Sequence, residues 1–198
     1  MSIHMPDTPR LIIAISGASG AIYGLKALEA VRALKIESHL IVSKAAALSL
    51  SAELDITLSD LHARADVVYK PADIGASIAS GSFRTLGMLV APCSVKTLSE
   101  ITTGVTSSLI SRAADVTLKE RRRLVLMVRE TPLHLGHLRS MAAVTEMGAI
   151  IAPPMPAFYT RPQSLDEMVE QNIGRVLDLF GLEAPFKKWG EDVSLNHD

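Results

Sequence analysis

LIIAISGASGAIYGLKALEAVRAL, residues 11–34, joins a short apolar run to a glycine turn and a segment of helical periodicity. Leu11 to Ile15 is long enough for a buried strand, and Ser16 to Gly20 combines glycine with serine as tight turns do. From Ala21 to Leu34 apolar side chains recur at the spacing of one helical face. The sequence therefore predicts a strand, a turn and a helix in direct succession.

The rest of the chain repeats this alternation. Further strands are predicted at Ser38 to Val42, Val67 to Tyr69, Met88 to Ala91, Leu124 to Val128 and Ala149 to Ala152. Further helices are predicted at Lys44 to Glu53, in a segment that ends at Lys119, and from about Leu135 to Met147. A last helix is predicted from Ser164 to about Phe180, because Ser164 and Glu167 have the spacing of a capping box. Because such alternation forms right-handed parallel crossovers, we expect an α/β fold, a doubly wound parallel sheet in a three-layer flavodoxin-like or Rossmann-like sandwich.

The composition fits one domain over residues 1–198, with a short N-terminal arm and a C-terminal helix and tail. The net charge of −1 gives no general attraction to nucleic acid or to an anionic membrane. No apolar run reaches the roughly 18 residues of a membrane span, and the N-terminus lacks an export signal, so we expect a cytoplasmic protein. An apolar fraction of 48% predicts that some surface is buried between subunits.

The glycine turn is a candidate phosphate site. Glycines allow close approach, and the helix that follows would present unpaired N–H groups to an anion. The spacing is not the dinucleotide pattern G-x-G-x-x-G, and Ser43 and Lys44 stand where an NAD site would need an acidic residue. A hydroxyl and an ammonium suit a phosphate better than a ribose, which favours a mononucleotide over NAD. A glycine turn that only packs against the sheet is the structural alternative.

A second informative stretch is RAADVTLKERRRLVLMVRE, residues 112–130. Arg112, Asp115 and Lys119 are spaced to share one helical face. Arg129 and Glu130 follow a predicted buried strand, and the carboxyl ends of parallel strands are where open α/β sheets bind ligands. The pair is therefore a site candidate, with an ordinary ion pair at a strand end as the alternative.

Hydroxyl-rich turns follow other predicted strands. They are Ser80 to Ser82, Ser94 to Thr97 and Thr102 to Ser108. Together they predict a polar rim along one edge of the sheet, as a phosphorylated planar ligand requires.

These segments, with several others, resemble the UbiX-type flavin prenyltransferases, also called the phenylacrylic acid decarboxylase partner group. They are GASGAIYG (17–24), SKAA (43–46), SGSF (80–83), PCSVKTL (92–98), RAADVTLKERR (112–122), VRETPLHLGHLR (128–139), PPMPAFY (153–159), RPQSLDEM (161–168) and RVLD (175–178). The segments keep the family's order across nearly the whole chain, which is far more specific than any one of them.

The resemblance implies an enzyme that transfers a dimethylallyl group from dimethylallyl phosphate to reduced FMN. A fourth ring is joined through N5 and C6 of the flavin, and the prenylated FMN serves a UbiD-type decarboxylase. Family members form their sites between subunits of a dodecamer. Two alternatives stay open: ubiquinone biosynthesis or aromatic acid decarboxylation as the destination, and a mono- or a diphosphate as the donor.

The resemblance also implies site residues. The FMN contacts are Gly17, Ala18, Ser19, Ser43, Ser94, Val95, Lys96, Thr97 and Arg129. The donor contacts are Tyr159, Arg175, Lys119 and Arg112, and the catalytic roles fall to Ser19, Glu53, Lys119 and Glu130. Lys119, Arg175 and the Tyr159 hydroxyl would stabilise the leaving phosphate without a metal ion. Glu130 and Ser19 are candidates for moving protons.

Other reactive residues have plainer explanations. His134 and His137 are three apart, but zinc would need a third ligand at fixed geometry, so no metal is expected. Cys93 is more typical of a buried strand end than of a nucleophile. Arg121 to Arg123 would form a solvated helix end or reach a neighbouring subunit's ligand, and Trp189 would cover the flavin or anchor the tail.

Two other functions remain open at this point. An FMN-binding or carrier protein would explain the phosphate turns but would leave the donor residues without a role. A flavin-dependent decarboxylase acting on a peptidyl cysteine would share the fold, but it would need a histidine that Lys44 to Glu53 lacks.

Overall fold

The computed structural model describes residues 8–192, and both the arm at residues 1–7 and the end of the predicted tail at residues 193–198 lie outside the described part. Its strands are β1 (Arg10–Ile15), β2 (Glu37–Val42), β3 (Val67–Tyr69), β4 (Gly87–Cys93), β5 (Arg123–Val128) and β6 (Ile150–Ile151). Its α-helices are α1 (Ala21–Ala33), α2 (Lys44–Glu53), α3 (Leu58–His62), α4 (Val95–Thr103), α5 (Leu109–Lys119), α6 (Leu135–Glu146) and α7 (Leu165–Asp178). Short 3-10 turns span Ser77–Ala79 and Phe158–Thr160. In this part no helix has the length and apolar character to cross a membrane.

The strands form one parallel sheet in the order β3-β2-β1-β4-β5-β6. This order confirms the predicted α/β fold. The chain builds outward from β1 on one side through β2, and then on the other side through β4. The direction of building reverses between β1 and β4, and ligands of open α/β sheets bind at the carboxyl ends of the strands at such a point.

Both faces of the sheet are buried beneath helices. On one face Ile13 of β1 packs in a core with Leu28 of α1 and Leu177 of α7. On the other face Ile12 belongs to a core that includes Leu98 of α4. Helices on both faces explain why the strands are continuous apolar runs rather than alternating ones. The three layers leave only the strand ends open for polar side chains.

The region between β4 and β5 differs from the sequence prediction. Ser94 to Thr97, predicted as a turn, is the N-cap and first turn of α4. The turn predicted at Thr102 to Ser108 is shorter, because Thr103 completes α4 and Ser108 caps α5. Gly104 ends α4 in the left-handed conformation, with φ of 71°, which glycine adopts without strain. A second helix therefore stands where one helix through Lys119 was expected.

The other differences are small. The helix α3 was not predicted, although Thr57 and Asp60 form a complete capping box at its start. The predicted capping box of α7 is only half formed, because Ser164 accepts from the N–H of Glu167 but the Glu167 carboxylate accepts from Gln163. The last strand has two residues instead of the predicted four.

Candidate functional site

A cavity of about 690 Å³ lies at the carboxyl ends of β1, β2, β4 and β5, where the order of the sheet reverses. Its volume is that of a typical small-ligand site. The predicted site residues that line it are Gly17, Ala18, Ser43, Ser94, Val95, Lys96, Thr97, Arg129 and Glu130. These residues follow four different strands, and the sheet brings them together.

The turn after β1 is packed tightly against α2. A Cβ atom on Gly17 would lie 2.4 Å from the Cβ of Ala45, a distance that two carbon atoms do not tolerate. Gly20 precedes α1 with φ of 107°, in the range that favours glycine. The turn therefore requires glycine at both positions, at one to approach α2 and at the other to enter the helix.

Ser16 connects the turn after β1 to the turn after β4. Its hydroxyl donates to the carbonyl of Pro92 at 3.0 Å and accepts from the N–H of Ser94 at 2.8 Å. The side chain is 1% exposed, so both bonds form away from solvent. Ser16 was predicted only as part of the turn, without a role of its own. Its only signal was a hydroxyl directly after an apolar strand.

Three helices begin at the cavity with serine caps, namely α2 at Ser43, α4 at Ser94 and α5 at Ser108. The Ser43 hydroxyl accepts from the N–H of Ala46 at 3.0 Å, and the Ser94 hydroxyl accepts from that of Thr97 at 3.3 Å. The first turns of α2 and α4 both line the cavity. Because helix N-termini carry partial positive charge, both suit a phosphate.

A carboxylate of the same chain already binds the N-terminus of α1. The Glu53 carboxylate, at the end of α2, accepts from the backbone N–H groups of Gly20 and Ala21 at 2.8 and 2.9 Å. Burial acts to raise its pKa, but these bonds, with those from Ser19 and the charge of Arg129, lower the pKa overall. The expectation of unpaired N–H groups at the start of α1 is therefore wrong. A carboxylate from 33 residues away takes them.

Arg129 and Glu130 leave the sheet at the end of β5, as predicted. The backbone N–H of Arg129 donates to the Cys93 carbonyl at 3.0 Å, which continues the pairing with β4 beyond the strand. The Glu130 carboxylate accepts from the N–H of Thr131 at 3.0 Å. Burial raises the pKa of Tyr23, and the charge of Arg129 opposes that effect. Arg129 therefore lies within electrostatic reach of both Tyr23 and Glu53.

The structure places the four expected donor contacts elsewhere. Arg112 pairs with Asp115 at 2.8 Å, Lys119 pairs with Glu120, and Arg175 pairs with Asp178 at 2.9 Å. The Tyr159 hydroxyl donates to the Lys187 carbonyl at 3.3 Å, and its ring packs edge-on against Trp189. None of these four donor residues lines the cavity in the described part of the chain. Residues Ser19 and Glu53 border the α1 turn beside the cavity.

Other residues that line the cavity were not assigned by the sequence analysis. Glu100 of α4 accepts from Lys96 at 3.1 Å and from the Ser107 hydroxyl at 2.8 Å. Lys70 directly follows β3 and also lines the cavity. The position of Lys70 directly after a strand could have indicated a cavity residue. The contact between Glu100 and Ser107 could not have been predicted, because no local sequence pattern marks it.

The other residues considered as nucleophiles, metal ligands or ligand contacts make structural contacts. Burial raises the pKa of the Cys93 thiol to about 12, so the thiolate is disfavoured. His134 caps α6 by accepting from the N–H of Gly136, and its ring stacks on His137. Arg122 donates to the carbonyls of Phe83 and Gly81. Within residues 8–192 no three His, Cys, Asp or Glu side chains are grouped as metal ligands would be.

Comparison with known proteins gives consistent similarities. A family model described as Flavoprotein matches residues 2–174. Flavin prenyltransferase UbiX of Escherichia coli (strain K12) is 57% identical over 184 residues, which cover 91% of this chain and 97% of the relative. The crystal structure of AnUbiX (PadA1) in complex with FMN and dimethylallyl pyrophosphate has a TM-score of 0.91 at 49% identity, covering 92% of this chain and 98% of that one. A dodecameric FMN-dependent UbiX-like decarboxylase from Escherichia coli O157:H7 has a TM-score of 0.88 at 47% identity, covering 90% and 98%.

Proposed function

The chain belongs to the flavoprotein family and, within it, to the UbiX flavin prenyltransferases, and we propose that it transfers a dimethylallyl group from dimethylallyl phosphate to reduced FMN. The C–O bond of the donor breaks, phosphate leaves, and the flavin gains a fourth ring through N5 and C6. The observation that carries this proposal is the cavity of about 690 Å³ at the reversal of the sheet, which all the expected flavin contacts except Ser19 line.

The residues present fit FMN. Serine-capped helix starts at Ser43 and Ser94 suit its phosphate, and the Gly17 turn, packed against Ala45 of α2, lines the same cavity. Arg129 supplies a cation at the same edge. We assign Gly17, Ala18, Ser19, Ser43, Ser94, Val95, Lys96, Thr97 and Arg129 to holding the flavin.

The donor half of the site is proposed to form between subunits. Arg112, Lys119, Tyr159 and Arg175 lie away from the cavity of their own chain, and a UbiX-like relative of known structure is dodecameric. We therefore propose a homo-oligomer, a dodecamer, in which these residues line a neighbour's cavity. Cations and a hydroxyl in a site closed to water stabilise the charge that grows on a departing phosphate.

Glu130 is proposed to move a proton during ring closure. Glu130 lines the cavity, and one oxygen of its carboxylate accepts from the N–H of Thr131. A positioned carboxylate of this kind contributes about 10²- to 10⁴-fold as a general acid or base. Glu53 and Ser19 have a connected role, because the anionic Glu53 orients the Ser19 hydroxyl at the start of α1.

The proposed recipient of prenylated FMN is a UbiD-type decarboxylase, reached in the cytoplasm. The same product would serve ubiquinone biosynthesis or aromatic acid decarboxylation. Purified partners of each kind, supplied with the released flavin, would distinguish the two by which one becomes active.

The test is anaerobic incubation of the purified protein with reduced FMN and dimethylallyl phosphate, followed by mass spectrometry of the released flavin. We expect a mass gain of one prenyl group that is lost when the donor is omitted. A parallel reaction with dimethylallyl diphosphate separates the two donors. Tightly bound FMN of unchanged mass with either donor would overturn the proposal and identify a flavin carrier.

A further inference from the structure

Two lysines that line the flavin cavity, Lys44 and Lys70, have no part in the flavin and donor contacts assigned above. We propose that they form a phosphate clamp, a pair of cations that binds a phosphate monoester dianion at this edge of the cavity. The proposal rests on the proposed function in one respect, because it takes the phosphate to be that of FMN or of the prenyl donor.

The sheet places the two lysines side by side. Lys44 is the first residue of α2, two residues beyond the end of β2, and Lys70 is the first residue beyond β3. The strands β2 and β3 are parallel neighbours, with Ile41 opposite Tyr69. The segments that follow β2 and β3 therefore leave the sheet at the same edge and at nearly the same level. Both lysines line the one cavity there.

The charge of these lysines is not compensated within the described chain. Four cations and two carboxylates line the cavity, and one of those carboxylates, Glu100, is bound to Lys96. Over residues 8–192, neither Lys44 nor Lys70 takes part in a salt bridge. The other carboxylate, Glu130, is not bound to either lysine in the described part of the chain, so a dianion entering the cavity would find two ammonium groups that no described carboxylate holds.

The charge of Lys44 also interacts unfavourably with the dipole of its own helix. A helix N-terminus is partially positive, so acidic residues stabilise the first turn and cations destabilise it. The helices α3 and α7 follow this rule with Asp60 and with Asp166, and the first turns of α1, α4, α5 and α6 have no acidic residue. The first turn of α2 has no acidic residue and begins with a lysine. Phosphate bound there would reverse the unfavourable interaction.

Ammonium groups suit this task because they act as point charges on flexible stems. Both side chains are exposed in the single chain, so they are free to close on an entering ligand. A phosphate monoester carries close to two negative charges, and two lysines match it. The flavin's phosphate and the donor's phosphate have this same chemistry, and measurement separates them.

The first arm compares the affinity of FMN with that of riboflavin, which lacks the phosphate, by flavin fluorescence without any donor. For the double variant Lys44→Gln with Lys70→Gln we expect FMN affinity to fall by about tenfold, with riboflavin affinity unchanged and a shallower dependence of FMN binding on salt. The matched control is Lys35→Gln, which removes an exposed lysine just before β2 at the opposite edge of the sheet.

The second arm measures the KM for dimethylallyl phosphate. If FMN affinity is unchanged but this KM rises by about tenfold, the clamp holds the donor's phosphate instead of the flavin's. If neither changes, or if riboflavin binding weakens as much as FMN binding, the clamp is overturned. Because the first arm uses no donor, it gives an answer even if prenyl transfer fails.

The third arm separates binding from folding. Without ligand, Lys44→Gln should raise Tm by about 1–3 °C, because a cation is removed from a helix N-terminus. The rise in Tm on adding FMN should be smaller than in the unmodified protein. A lower Tm without ligand would contradict the placement of Lys44 as an uncompensated charge.

Discussion

The two halves of the proposed site are built in different ways. The flavin half is assembled within one chain, where four loops meet at a cavity at the carboxyl edge of the sheet. The donor half is divided among α5, α7 and the turn at Phe158–Thr160, and each of its charged residues is paired within its own chain. Parallel strands dictate the first half by geometry alone. In our proposal the second depends on how chains assemble.

This difference predicts different consequences of mutation. Damage to the donor half should reduce turnover and leave flavin binding intact, because the cavity is complete without it. Damage to the flavin half should reduce flavin binding or folding first, because the same backbone both forms the fold and lines the cavity.

The largest effect is expected from Arg175→Ala. If Arg175 stabilises the departing phosphate, as we propose, its loss should lower kcat by about 10²- to 10³-fold. FMN affinity should stay within about twofold of the unmodified protein, since a change of that size is under 0.5 kcal/mol. Steady-state turnover and fluorescence titration measure the two quantities. The control is Arg32→Ala on α1, an arginine that contacts the Ala63 carbonyl away from the cavity.

Mixed oligomers sharpen this prediction. Subunits carrying Arg175→Ala and subunits carrying Glu130→Gln are dissociated, mixed and reassembled. If one chain supplies Arg175 to the cavity of another, mixed oligomers regain turnover that neither variant has alone. No recovery would place both residues in the site of a single chain and remove the contrast between the two halves.

A smaller effect is expected from Glu130→Gln. The change keeps the shape of the side chain and removes its ability to exchange a proton, so turnover should fall by about 10²-fold. FMN affinity should hardly change. Glu146→Gln, at the exposed end of α6, is the matched control. Normal turnover in Glu130→Gln would show that the proton moves by another route, for example through the departing phosphate.

Gly17→Ala tests the flavin half. The added methyl group would lie 2.4 Å from Ala45, so the turn or α2 must shift. We expect a loss of about 1–3 kcal/mol in the free energy of unfolding, with weaker FMN binding. Thermal unfolding and FMN titration measure the two losses. Gly75→Ala is the control, because the nearest atom to its added carbon is 3.7 Å away. Equal stability and equal FMN affinity of the two variants would contradict the close packing of Gly17 against α2.

The smallest effect concerns Glu53 and pH. Glu53→Gln removes a charged cap from α1 and should cost about 1 kcal/mol at neutral pH. The pKa of Glu53 in the folded protein is below its ordinary 4.5, so its contribution is present above pH 4.5 and is lost as pH falls through the folded value. The unmodified protein should therefore lose stability more steeply below pH 4.5 than the variant does. As a control, Glu183→Gln at an exposed position should leave the loss of stability below pH 4.5 unchanged.

Much of this architecture was predictable because it follows from local patterns. An apolar run ending in glycine and serine predicts β1 and its turn, and a charged pair after a buried strand predicts Arg129 and Glu130 at the edge of the sheet. The parallel topology then brings these ends together without further information. The resemblance of nine segments to one family added the flavin and its donor.

The rest depends on contacts between distant segments. The bond from Glu53 to the start of α1 and the bridge through Ser16 join residues 33 and 78 positions apart, and periodicity carries no record of either. The division of α4 from α5 at Gly104 was missed because hydroxyl side chains serve both as turn residues and as helix caps. Whether a polar residue caps, turns or binds is decided by its tertiary neighbours.

Ser16 has a consequence for the dynamics of the site. One hydroxyl fastens the two loops at the point where the sheet divides, at 3.0 and 2.8 Å, so the floor of the cavity is set during folding and not by the ligand. The conformational entropy of that region is lost before any flavin arrives, which favours tight binding of the free cofactor and opposes its release. Departure of the finished product then depends on movement of the surrounding loops or of neighbouring subunits. In the proposed oligomer, a rigid floor would leave the timing of product release to these loops and neighbouring subunits.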